Sequence, residues 1–145
     1  EFGKKASHHQ TSVERILQQV ISKKPLAAND VLTNIAYYLS LKYIVPIAVD
    51  DAAKLKGDLT FVADKDLSYH DAVGSLGKKF DYWKSPRTVL TPKSTSALLH
   101  LEGLPPVTSR KMKEIMAEAQ AMIQTFCGGK TKVGFVHRRK NFVTL

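Results

Sequence analysis

The residues whose types and spacing could do catalytic chemistry are few and lie far apart in the chain. Asp64 and Asp66 form an Asp-x-Asp pair after a strand-like run, and paired carboxylates of this kind can hold a divalent metal ion. Ser96 and His100 are spaced by one helical turn, as a nucleophile and its base could be. Cys127 is the single cysteine. The sequence has no glycine-rich phosphate-binding loop of the GxxxxGK[ST] or GxGxxG type.

None of these residues belongs to a complete catalytic set. We find no downstream Glu or Lys constellation that would join Asp64 and Asp66. We therefore assign no catalytic residue, no metal site and no organic cofactor, and we favour a protein that is not an enzyme. A small metal-dependent nuclease that uses the two aspartates stays open as an alternative. His8 and His9 are neighbours that point in different directions on any regular element, and residues 1–10 are interpreted as a flexible leader.

The basic residues point more clearly to a kind of partner. Residues 1–83 hold eleven Lys/Arg and ten Asp/Glu, whereas residues 84–145 hold eleven and three, a balance of +8 within the net charge of +9. Such a one-sided field attracts polyanions and raises their rate of association. The candidate nucleic-acid-binding residues are Lys84, Arg87, Lys93, Arg110, Lys111, Lys113, Lys130, Lys132, Arg138, Arg139 and Lys140.

The tail, residues 128–145, is the most basic segment and has no acidic residue. The composition around Val133, Phe135 and residues 141–145 is β-like, which predicts a β-hairpin with residues 137–140 as its connecting turn. Apolar residues interleaved with charges need burial, so we expect the tail to pack on the domain or on a partner. The alternative function is therefore a protein-interaction or assembly module, in which the tail adds to a partner's sheet or mediates self-association.

The segment from Ala97 to Met116, ALLHLEGLPPVTSRKMKEIM, resembles the helix-hairpin-helix motif of DNA-binding and DNA-repair proteins. Gly103-Leu104-Pro105 corresponds to the hairpin of that motif, and Thr108–Lys111 to the start of its second helix. The resemblance implies that free backbone amides at this helix start hold a phosphate while basic side chains neutralise it. Pro105 replaces the second glycine of the family and has no amide hydrogen to donate. An ordinary helix-loop-helix with a proline elbow is the alternative.

Hydrophobic periodicity and capping residues predict the elements that position these side chains. The predicted helices cover about residues 12–23, 30–43, 50–56, 68–83, 93–102 and 109–126, with a short strand at 59–63. The expected fold is a compact, mainly α domain of about five to six helices with a C-terminal β-hairpin. Residues 11–145 would form this single helical domain, with residues 128–145 as its basic β-like tail.

Composition bounds the class of protein. A chain of 145 residues with 43% apolar residues is long enough for one domain with a real core. The apolar run at 44–49 is far shorter than the roughly 20 residues of a membrane-spanning helix. A lone cysteine argues against an internal disulfide framework and fits a reducing compartment, cytoplasm or nucleus. The chain starts at Glu1 without methionine, so we expect a domain of a longer intracellular or viral protein. The expected function is non-catalytic binding of DNA or RNA through the phosphate backbone.

Overall fold

The computed structural model describes residues 11–26, 30–63, 67–78, 83–84, 86–103, 105–136 and 142–143. The helices and strands in these ranges are α1 (Ser12–Ile21), α2 (Val31–Tyr43), β1 (Ile47–Asp51), β2 (Leu59–Ala63), β3 (Leu67–Asp71), β4 (Gly74–Lys78), β5 (Trp83–Lys84), β6 (Ala97–Leu101), α3 (Ser109–Phe126) and β7 (Phe142–Val143). Single 3₁₀ turns lie at Ala52–Lys54 and Pro86–Thr88.

The fold is mixed α/β, so the prediction of a mainly α domain with five to six helices is wrong. The described residues contain three α-helices and two antiparallel sheets. One sheet pairs β1 with β6, and the other has the strand order β5-β4-β3-β2-β7. No helix among the described residues is both long enough and apolar enough to cross a membrane.

The three helices begin at residues whose side chains cap them. Thr11 accepts from the amide of Glu14, whose carboxylate binds back to the Thr11 amide, and this completes the capping box. Asp30 caps α2 by accepting from the Thr33 amide at 2.7 Å. Thr108 caps α3 through the Lys111 amide at 3.2 Å. These caps satisfy amides that have no partner within the helix, and all three helices lie where the sequence predicted them.

The predicted helix over residues 68–83 is wrong, because β3 and β4 form an antiparallel hairpin there. Asp71 accepts hydrogen bonds from the amides of Val73 and Gly74, a local pattern that reverses the chain. Gly74 has φ +142, a conformation that favours glycine. Residue types that resemble a helix cap therefore form a turn here.

The predicted helix over residues 93–102 is also wrong. Residues 97–101 form β6 and pair with β1 from Ile47↔Leu101 to Asp51↔Ala97. A short apolar run fits a buried strand as well as a helix, and periodicity alone does not separate them. The first helix of the resemblance to the helix-hairpin-helix motif is accordingly a strand, and the predicted small helix at 50–56 is reduced to a 3₁₀ turn at Ala52–Lys54.

The β1–β6 sheet lies between two hydrophobic clusters. On one face, α2 and α3 pack on it through buried residues that include Leu39, Val49 and Ile115. On the other face, Leu98 of β6 contacts the smaller cluster of the five-stranded sheet, Leu55, Leu59 and Leu76. Successive residues of a strand point to opposite faces, so β6 contributes side chains to both clusters.

The tail does not form the predicted hairpin. β7 pairs with β2 through Leu59↔Val143 and Thr60↔Phe142, and residues 130–136 have no regular secondary structure. Several predictions lie outside the described residues. They concern the leader at 1–10, the carboxylates Asp64 and Asp66, and the turn that contains Arg138, Arg139 and Lys140.

Candidate functional site

The helical positions of α3 place its basic residues on two sides of the core-facing stripe. Ile115 and Ala119 of that stripe are 0% and 4% exposed. Arg110 and Lys113 are three residues apart, which makes them neighbours on the helix surface that faces away from this stripe, where Arg110 also reaches Glu114. Lys111 borders the stripe on its other side and faces α2, as its contact with an α2 side chain shows.

The α2 side of α3 is a cluster in which charges compensate each other. Lys42 Nζ lies 2.6 Å from Glu118 Oε1, and the Tyr43 hydroxyl donates to the other oxygen of the same carboxylate. Lys111 Nζ lies 4.7 Å from the centre of the Tyr43 ring and 3.2 Å from Glu114 Oε2. The Glu118 carboxylate raises the pKa of Lys42, and the Lys42 ammonium, followed by the Tyr43 hydroxyl, lowers the pKa of Glu118.

Glu114 also contacts basic side chains in the first turn of α3. Its carboxylate lies 3.3 Å from Arg110 Nε and 3.2 Å from Lys111 Nζ. Lys111 is the main cause of the lowered pKa of Glu114, and Arg110 adds to it. One acid therefore offsets part of the charge of two predicted phosphate ligands, although the Arg110 side chain remains 91% exposed.

The other side of α3 is the side along which the tail returns. The chain leaves α3 through Gly128 and Gly129, whose φ angles are +68 and +87, and such left-handed residues commonly end a helix. Gln120 Nε2 then donates to Thr131 Oγ1 at 2.9 Å. Because Gln120 follows Lys113 by seven residues, both lie on the same side of the helix. The returning tail therefore contacts α3, through Thr131, on the side of the helix that carries Lys113.

We call Arg110, Lys113, Lys130 and Lys132 the tail flank. Thr131 is half-buried against α3, whereas the lysines on either side of it are exposed. Among the described residues, Lys113, Lys130 and Lys132 have no ion pair with a carboxylate. From Arg110 to Gln120 the helix rises by about 15 Å, and the contact of Gln120 with Thr131 is what links this stretch of α3 to the tail lysines.

The remaining predicted ligands lie elsewhere. Lys93 lies four residues before the start of β6, whereas Arg110 lies in the first turn of α3, after the elbow that follows β6. Lys93 is exposed in the turn before β6, and Lys84 lies in β5. Arg87 forms a two-pronged contact with Asp71 instead of facing solvent as an isolated charge. The structure thus links the tail that carries Lys130 and Lys132 to the helix that carries Arg110 and Lys113, whereas Lys84, Arg87 and Lys93 belong to the segment from β5 to β6.

Asp71 is a buried anchor that sequence reasoning missed. Its side chain is 0% exposed and accepts from both terminal nitrogens of Arg87 at 2.9 Å. It also accepts from the amides of Lys56, Val73 and Gly74. Burial raises the pKa of Asp71, but Arg87 and the three amides outweigh burial and hold the pKa well below its usual range. The Asx-turn spacing to Gly74 was the available signal.

A second buried polar group joins the two sheets. Asp50 of β1 accepts from the Thr88 hydroxyl at 2.5 Å and contacts His100 Nε2 at 3.1 Å. The His100 ring meets Tyr69 edge-on at 4.8 Å, and Tyr69 donates to Glu102 at 2.8 Å. His100 therefore packs between the sheets, and the predicted one-turn spacing to Ser96 has no helix to carry it.

The elbow before α3 is built for close packing. A Cβ atom on Gly103 would lie 2.7 Å from Met112 Sδ, so the glycine allows the methionine of α3 to approach the backbone. Pro105 and Pro106 are joined by a cis bond. The resemblance had assigned Gly103 to a phosphate-binding hairpin, whereas its contact here is with α3 itself.

The described residues contain no cluster of three or more His, Cys, Asp or Glu side chains that could hold a metal ion. Cys127 is exposed at the end of α3. Among the sequence-predicted binding residues that the structure describes, those of the tail flank lie on α3 and on the tail segment that contacts it. No family model matches the chain, and no curated protein or solved structure matches it either.

Proposed function

We propose that this protein binds nucleic acid through the phosphate backbone, without catalysing a reaction, and that the tail flank is its contact surface. The observation that carries the proposal is the contact between Gln120 and Thr131, which brings Lys130 and Lys132 beside the helix of Arg110 and Lys113. This contact supports a shared surface for two basic segments that lie about twenty residues apart in sequence.

Electrostatics favours a polyanion as the partner of this surface. When Lys and Arg side chains contact the phosphates of a nucleic acid, condensed counterions leave those phosphates. This release supplies most of the affinity of non-specific binding. The Thr108-capped start of α3 adds the positive end of the helix dipole near Arg110. Glu114 neutralises part of the positive charge of Arg110. The expected number of phosphate contacts from the four tail-flank residues is therefore between three and four.

The assembly alternative rested on the tail adding to a partner's sheet. In the structure β7 pairs with β2 of the same chain, so the described part of that strand already has a partner on one edge. Self-association remains an outcome that the experiment below can reveal. The nuclease alternative depends on Asp64 and Asp66, which lie outside the described residues.

The test is the salt dependence of binding. Four contacts predict a slope of log affinity against log salt of about −3.6 on a duplex and about −2.8 on a single strand. Affinity should therefore fall roughly 50- to 150-fold between about 50 and 200 mM salt. A triple variant in which Lys113, Lys130 and Lys132 become alanine should lose most of this slope.

Lys93→Ala is the matched control, because this lysine is exposed in the turn before β6 and does not belong to the tail flank. It should leave the slope unchanged. An affinity that does not change with salt, or equal effects of the control and the triple variant, would contradict the proposal. Sedimentation of the free protein tests the assembly alternative. A native dimer that the triple variant no longer forms would support self-association as the function of this surface.

A further inference from the structure

Two exposed aromatic rings lie on either side of Lys130 and Lys132 in the sequence. Phe126, the last residue of α3, is 63% exposed, and Phe135 in the returning tail is 43% exposed. Lys130 and Lys132 lie between them in sequence, and residues 126–136 contain no acid. Large aromatic side chains gain free energy when they leave water, so rings exposed within a basic segment are suited to a ligand that carries both charge and flat apolar surface.

Nucleobases supply that flat surface only when they are unpaired. In a duplex each base is stacked between its neighbours, and proteins reach mainly groove edges and phosphates. In a single strand the faces of the bases are open and stack on aromatic side chains, while lysines follow the backbone. The order of ring, two lysines and ring along residues 126–135 fits this second mode of binding.

We infer that the basic segment 126–135 takes single-stranded nucleic acid, with Phe126 and Phe135 stacking on bases and Lys130 and Lys132 contacting the phosphates between them. This inference rests on the proposed function and adds the class of ligand. Stacking does not depend on base identity because every base has a flat face, so binding is tolerant of sequence. Single strands of DNA and RNA both offer open base faces and phosphates, and the DNA and RNA probes below show which of the two binds more tightly.

Tyr38 provides a matched control for the two rings. It is 47% exposed on α2, an exposure similar to that of Phe135. Its neighbour Lys42 is held by Glu118 at 2.6 Å, so the charge around this ring is compensated. An exposed aromatic ring without an uncompensated basic surface should contribute nothing to binding.

The experiment uses the full chain and fluorescence anisotropy at about 50 mM salt. The probes are oligothymidylate and oligouridylate of about 20 nucleotides, a mixed-sequence duplex of the same length and an abasic strand of the same length. The test variant is Phe126→Leu with Phe135→Leu, which keeps apolar side chains and removes the flat rings. Tyr38→Leu is the control, and thermal unfolding of each variant verifies that it is folded.

We expect the double leucine variant to bind the base-carrying single strands at least about tenfold more weakly than the native chain does. Its affinity for the duplex and the abasic strand should be unchanged, and the Tyr38 variant should bind every probe as the native chain does. The tighter of the two single strands identifies DNA or RNA as the preferred source.

Three results would overturn the inference while leaving the proposed function intact. They are native-like binding of single strands by the double leucine variant, an equal loss on the abasic strand, and a native chain that prefers the duplex. In each case the lysine variants of the tail flank would still weaken binding. Failure of the native chain to bind any probe at low salt would overturn both proposals.

Discussion

Replacing Asp71 with asparagine should destabilise the whole fold, because this carboxylate ties the five-stranded sheet to the rest of the chain. Its side chain is 0% exposed and accepts five hydrogen bonds, two from Arg87 and three from backbone amides. The amides belong to the segment before β2 and to the β3–β4 turn, while Arg87 belongs to the segment before β6. Asparagine has nearly the same shape but presents an NH₂ group where a carboxylate oxygen accepts.

Breaking a buried ion pair costs about 3–5 kcal/mol. We expect the lower end, about 3 kcal/mol, because the Arg87 side chain is 31% exposed and can still reach water after Asp71 is neutralised. For a chain of this length such a loss corresponds to a decrease of roughly 10 °C in melting temperature. Urea unfolding monitored by circular dichroism measures the loss in free energy of unfolding. Asp58→Asn is the control, since Asp58 is exposed.

The pH dependence provides an independent check. The pKa of Asp71 is lowered in the folded protein, so its charge contributes stability above its unfolded pKa of about 3.9. That stability is lost as the pH falls below this value. The difference in unfolding free energy between the native chain and Asp71→Asn should therefore be constant from about pH 5 to 8 and should narrow below about pH 4.

Two results would refute this reasoning. If Asp71→Asn costs no more than Asp58→Asn, the carboxylate is not an anchor. If the difference between native chain and variant stays constant down to about pH 2, the destabilisation comes from altered hydrogen bonding and not from the lost charge. Binding experiments on this variant belong at a temperature where it is fully folded.

Two further changes test other buried groups of the fold. Thr88→Val should lower the free energy of unfolding by about 1.5–3 kcal/mol, because Asp50 loses a buried hydroxyl donor at 2.5 Å. Urea unfolding measures this loss of stability. A loss no larger than that caused by Thr95→Val, at an exposed position, would contradict the prediction. Ile115→Ala should cost about 2–5 kcal/mol by leaving a cavity between α2, α3 and β1. The same variant should keep the salt slope of nucleic-acid binding, and a changed slope would show that the tail flank depends on the core.

The helices could be predicted from the sequence because their signals are local. Thr11 with Glu14, and Thr108 before an amphipathic stretch, cap helices whose apolar spacing is regular along the whole helix. Such segments satisfy their own backbone hydrogen bonds, so neighbouring residues determine where they begin and end. The positions of α1, α2 and α3 were predictable for this reason.

The strands could not be predicted in the same way because their partners are distant in sequence. β6 pairs with β1, about fifty residues earlier, and β7 with β2, more than eighty residues earlier. Nothing within residues 97–101 identifies this partner. The apolar spacing of Leu98, Leu99 and Leu101 fits a helix until β1 supplies the hydrogen bonds and separates the side chains onto two faces.

The candidate site shows the same division between local and long-range information. Charge counting selected the basic residues of the tail flank from sequence. It also selected Arg87, because a formal charge carries no information about the carboxylate that faces it. The contact of Gln120 with Thr131 that joins α3 to the tail depends on two helical turns and a reversal at Gly128, which composition does not encode.

The slope of log affinity against log salt therefore does more than show that binding occurs, because it reports how many basic side chains contact phosphates. If all eleven candidates contacted phosphates, a single strand would give a slope of about −8, whereas the four residues of the tail flank give about −3. Arg87 is ion-paired with Asp71, and Arg110 and Lys111 are both ion-paired with Glu114. A slope near the smaller value, reduced by the lysine variants and not by Lys93→Ala, is what a surface assembled from α3 and its returning tail requires. A slope near the larger value would mean that the whole basic half binds as a diffuse field, and that the contact between Gln120 and Thr131 has no part in it.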